Sequence, residues 1–140
     1  MRIVHARYVV LFLFIPFLLF AQTHFPRPSS SFQPMNIYII KARLNNVDLV
    51  AGDEIGVFDG STCAGVAGLG RVATISTPLS LLAYKEEEGE SGFREGRTMI
   101  FKAWDASAGL EYTFSSGDIT FYDPETGAPI GAKTFEGLGT

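Results

Sequence analysis

The sequence predicts an all-β chain, an antiparallel β-sandwich of about seven to eight short strands. Three observations predict it. Short apolar stretches recur roughly every ten residues over positions 36–136, several alternating apolar with polar side chains, as strands with one buried face do. Turn formers separate them: Asn45-Asn46, Asp59-Gly60 and Asp123-Pro124-Glu125-Thr126-Gly127. Nowhere does the apolar pattern take up the 3.6-residue period of a helix.

The N-terminus stands outside that fold. Arg2 and Arg7 precede an apolar run from Val9 to Phe20, broken only by Pro16, and the small Ala21 follows. This is the pattern of a secretory leader, residues 1–21, cleaved before Gln22. The run is shorter than the ~20 residues that span a bilayer, so no membrane span is expected after cleavage. The expected location is secreted or cell-surface. Without Arg2 and Arg7, nine basic residues face fifteen acidic ones, a net charge of about −6. That is the wrong sign for a nucleic-acid partner. Cys63 is the only cysteine, so the chain forms no internal disulfide, and the thiol reads as a small packing side chain.

Taken in order, residues 22–34 hold Pro26, Pro28, Pro34 and Ser29-Ser30-Ser31, and read as an extended linker or arm. The domain then occupies 35–140. Its first strand is expected over 36–44, with Tyr38, Ile40, Ala42 and Leu44 inward and Lys41 and Arg43 outward. Asn45-Asn46 turns the chain into a brief strand at 47–50. Residues 54–58 form the next strand, Ile55 and Val57 facing the core, and Asp59-Gly60 turns it into 63–69. The small side chains of that segment let a neighbouring backbone approach closely.

A strand at 79–84 follows. Residues 85–96 carry Glu86, Glu87, Glu88, Glu90 and Glu95 and read as a solvated loop without an apolar face. Residues 98–105 place Met99, Phe101 and Ala103 on one face, with Thr98, Ile100, Lys102 and Trp104 on the other. Strands at 110–114, 119–122 and 133–136 complete the series. Gly137-Leu138-Gly139-Thr140 reads as a turn toward a further strand, so either the chain is a fragment or a sheet edge is left open. A strand edge left open in this way is a template for pairing with another chain.

The run Ala51-Gly52-Asp53-Glu54-Ile55-Gly56-Val57-Phe58-Asp59-Gly60, followed by Cys63-Ala64-Gly65, resembles a module of secreted, multidomain bacterial proteins, many of them type IX secretion cargo. The run from Gly96 to Asp105, ending Phe101-Lys102-Ala103-Trp104-Asp105, resembles that module's second signature. The resemblance covers most of 34–140. It implies an extracellular β-sandwich accessory module with no assigned activity or ligand. Many such proteins carry a C-terminal sorting domain, which these 140 residues do not contain.

Chemistry is sparse. His24 is the one histidine beyond the leader and lies in the Pro/Ser arm, away from any nucleophile pattern, so no enzyme is expected. Calcium is the one cofactor the residue types admit. Asp53, Glu54 and Asp59 bracket a strand and Asp105 ends another, all oxygen donors that suit a hard cation. The competing reading is that these acids cap turns. Trp104, Tyr84, Tyr122 and Tyr38 are candidate stacking platforms for a polysaccharide, or else core and cross-strand packing. The expected function is a non-catalytic structural, adhesive or surface-assembly module. It would pair strand edges with other extracellular chains or with itself. The alternative is a carbohydrate-binding module.

Overall fold

The computed structural model describes residues 23–137; the leader expected at 1–21 and the tail 138–140 lie outside the described residues. Ten strands follow in order: β1 (Phe32–Ile39), β2 (Arg43–Leu44), β3 (Val47–Asp48), β4 (Glu54–Asp59), β5 (Thr62–Gly68), β6 (Leu79–Lys85), β7 (Ile100–Asp105), β8 (Leu110–Thr113), β9 (Phe121–Tyr122) and β10 (Pro129–Ile130). One 3-10 turn, Ser116–Asp118, precedes β9. The fold is all-β and every strand pair is antiparallel. Four strands form a sheet in the order β5-β4-β7-β8, and β1-β6, β2-β3 and β9-β10 are two-stranded pairs. The count differs from the seven or eight expected because the 36–44 segment is divided between β1 and β2 and β10 is added, while the strand expected at 133–136 is reduced to a single bridge between Thr134 and Thr98.

Turn chemistry fixes the hairpins. Asn45 and Asn46 both take positive φ, 49° and 63°, in the turn joining β2 to β3. Asparagine tolerates that left-handed region better than most residues. Gly60, at φ 60°, opens the two-residue link between Asp59 and Thr62. Asp123 closes the β9–β10 hairpin, its carboxylate accepting the N–H groups of Glu125 and Thr126.

The core forms where the inner face of the four-stranded sheet meets β6. Ile55 and Val57 of β4, Phe101 and Ala103 of β7 and Leu81 and Ala83 of β6 belong to one buried cluster. Alternation on 98–105 is as expected: Met99, Phe101 and Ala103 are buried. Gly65 of β5 lies directly against the β6 backbone. A Cβ there would lie 2.2 Å from the Leu82 carbonyl and 2.9 Å from the Ala83 Cα, so only glycine fits.

Three expectations change. The first strand ends at Ile39, and residues 40–42 lie outside any strand. Pairing of Met35 with Ala83 and Ile37 with Leu81 turns the odd face of β1 inward. Tyr38 is therefore 63% exposed, whereas Ala42 and Leu44, beyond the break, do pack on the core. Second, the 85–96 loop is anchored: Phe93 is fully buried and stacks on Phe135, with ring centroids 4.7 Å apart and planes 5° from parallel. Third, the Pro/Ser arm is extended but packed, for Phe25 is only 2% exposed.

Candidate functional site

The opening acids of β4 serve the protein's own backbone. Asp53 is buried and accepts N–H groups from Val50 and Ala106, at 2.8 and 3.0 Å. Glu54 accepts the N–H of His24 on both carboxylate oxygens at 2.9 Å, and that of Phe25 at 3.2 Å. Asp59 accepts the Nε groups of Arg94 and Arg97, and the Arg94 backbone N–H, all at 3.1 Å. Burial pushes the Asp59 carboxyl up, but the combined bonds from Arg94 and Arg97 outweigh it and hold it below the usual carboxylate range. Asp105 caps its own loop through the Ser107 hydroxyl and Ala108 N–H, and those bonds hold its carboxyl low.

The four candidate calcium ligands are thus divided among separate partners. Among the described residues no three His, Cys, Asp or Glu side chains gather at one point, and no buried side-chain nitrogen or oxygen lacks a hydrogen-bond partner. What the acids do here is fix turns and hold the arm and the 94–97 loop.

The outer face of the four-stranded sheet forms a slot. Gly56 and Phe58 of β4, Cys63 and Val66 of β5, and Ile100 and Trp104 of β7 surround the Phe25 ring. Phe25 meets Phe58 edge to face at 5.5 Å. The His24 ring stacks flat on Trp104, 3.7 Å between centroids and 4° between planes, and its Nε2 lies 3.0 Å from Glu111. Glu111 also accepts from Lys102 at 2.9 Å, and Lys102 first, then His24, hold its carboxyl below the usual range. Trp104, the leading sugar platform from sequence, is therefore covered by the arm. His24, set apart in sequence, joins a carboxylate here, and among the described residues its hydrogen bonds go to Glu54 and Glu111.

Beyond the slot the arm runs toward β6. The Ser30 hydroxyl donates to the Lys85 carbonyl at 2.6 Å, and Ser29 and Ser91 hydroxyls lie 3.2 Å apart. Between the arm and the outer face of β6 lies an open groove of about 430 Å³, whose walls include Arg27, Ser80, Leu82 and Tyr84. Tyr38 and Tyr84 share this outer face. Tyr38 sits opposite Ser80, and Tyr84 lies four residues further along β6, about 13 Å away. The Asn36 amide donates to the Tyr38 hydroxyl and accepts from Ser80. Tyr122, 49% exposed, stands apart on β9. Of four candidate aromatics, two share a surface.

The residues that sequence reasoning passed over are Phe25, Phe93, Arg94 and Arg97. Phe25 lies between His24 and Pro26, and Phe93 beside a glutamate run, so neither belongs to an apolar period. No helix of the described residues is long and apolar enough to cross a membrane. The chain matches no family model, no curated protein and no solved structure.

Proposed function

We propose that this chain is a non-catalytic extracellular module for adhesion or surface assembly, which pairs with other chains, or with itself, at the free edge of β1. The observation that carries the reading is that β1, eight residues long, pairs only with β6 among the described residues. From Met35 to Ile39 that edge extends about 17 Å and carries no charge. Natural sheets usually blunt such an edge by shortness or charge. The edge strand β8 follows that rule, with four residues including Glu111. On β6, Gly65 of β5 packs against the backbone at Leu82 and Ala83. An extracellular setting is supported by the leader pattern of residues 1–21 and by the likeness to secreted bacterial accessory modules.

Sedimentation velocity tests the reading, comparing the wild type with a variant carrying Asn36→Lys and Tyr38→Lys, both exposed positions of β1. Concentration-dependent association of the wild type, lost in the folded variant, supports it. A wild type that stays monomeric and captures no surface protein from its own cells overturns it.

A second reading, polysaccharide binding, is favoured by Tyr38 and Tyr84 on one outer face beside the groove. Loss of polysaccharide pull-down in a folded Tyr84→Ala variant supports that reading, and no retention of the wild type ends it.

A further inference from the structure

We propose that the N-terminal arm is an exchangeable plug: the arm of one copy seats in the outer-face slot of a second copy, and the exchange links copies of this chain. The inference rests on the assembly reading above and names its partner, a second copy, and its receptor, the slot of Gly56, Phe58, Cys63, Val66 and Trp104 with the Glu54 carboxylate at its end. The occupant is already seen in place. Phe25 fills the slot, His24 lies on Trp104, and Glu54 holds the two backbone N–H groups.

The hinge is where the strain sits. Gln33, the second residue of β1, has φ 39°, a left-handed value that non-glycine residues seldom adopt. It also precedes Pro34, which disfavours compact backbone in the residue before it and biases that residue toward an extended form. The same point carries a register irregularity between Phe32 and Met35. The closed monomer thus bends the chain where its sequence favours extension. An extended Gln33 carries the arm away from its own sheet, as exchange requires. Pro26 and Pro28 keep the arm itself extended and limit the entropy lost on docking in trans.

Exchange replaces each slot contact with an identical one, so its balance is set by two terms. Relief of strain at two hinges favours the dimer, and the high effective concentration of a tethered arm favours the monomer. Exchange should therefore appear at high protein concentration and respond to hinge substitutions that touch neither plug nor slot.

The test is sedimentation equilibrium on the chain from Gln22 to Thr140. Three variants are compared with it: Gln33→Gly, Gln33→Val, and a chain lacking residues 22–31. Glycine accepts positive φ without penalty, and valine resists it strongly. Gln33→Gly is expected to weaken arm-dependent dimerisation about tenfold or more, Gln33→Val to strengthen it, and the arm deletion to remove it and leave only association at the β1 edge. Dimerisation indifferent to all three variants overturns the exchange and leaves the β1 edge as the contact. Monomers throughout, in chains whose circular dichroism shows them folded, also overturn it. The Gln33 variants keep the comparison decisive if the arm deletion fails to fold.

Discussion

The carboxylate of Glu54 holds the backbone N–H of His24 at 2.9 Å, thirty residues earlier in the chain. That bond makes the arm part of the domain. It places Phe25 over Phe58 and Cys63 and lays His24 over Trp104, so the most aromatic surface of the sheet is covered from within.

The arm therefore contributes to stability. Phe25→Ala is expected to destabilise the fold by about 3 kcal/mol through the cavity it leaves, and Glu54→Ala by about 2 kcal/mol through two unpaired N–H groups. Urea unfolding followed by Trp104 fluorescence measures both. Midpoints equal to that of the wild type would mean the arm is merely resting on the surface.

Gly65 sets the distance between β5 and β6. Gly65→Ala forces a methyl group to within 2.2 Å of the Leu82 carbonyl, a backbone atom that cannot swing aside. A loss of about 3 kcal/mol is expected, against a few tenths for Gly68→Ala, where a Cβ meets nothing within 4 Å. Thermal denaturation of the two variants side by side gives the contrast.

Asp59 makes the fold acid-sensitive. Its carboxyl titrates lower in the folded chain than in the unfolded one, because Arg94 and Arg97 outweigh the cost of burial. The unfolded state therefore binds the proton first as pH falls, and the stability contributed is present above the ordinary Asp range near pH 4. It is lost progressively as pH drops below that range. Asp59→Asn should lower stability at pH 7 and flatten the decline below about pH 4. A variant with an unchanged acid limb would remove Asp59 from this role.

Cys63 should be chemically silent. Burial pushes its thiol up to about 11, so at pH 8 the thiolate is scarce and shielded by Phe25 and Phe58. Reaction with a disulfide reagent is expected only on unfolding or arm displacement. Rapid labelling of the native chain would contradict the packing around it.

Much of the fold was legible because local rules agree with tertiary packing in β4 and β7. There, alternation and turn residues name the strands and their faces. The phase of β1 was not legible, since both Tyr38 and Ile37 are apolar and only pairing with Leu81 decides which turns inward. Phe93 and Phe25 were hidden because a single aromatic in a charged or Pro/Ser stretch carries no period. The acids were identifiable as turn formers, but the Arg94 and Arg97 partners of Asp59 lie thirty-five and thirty-eight residues away. Trp104 was placed on the correct face, and the arm that covers it was invisible to pattern alone.

Hydrogen–deuterium exchange along β1 tests the assembly reading most directly. Amides from Met35 to Ile39 are followed in dilute and in associated protein, with β8 as the internal control. The expected result is slowed exchange in β1 on association and no change in β8. Association that leaves β1 exchange unaltered would contradict pairing at that edge.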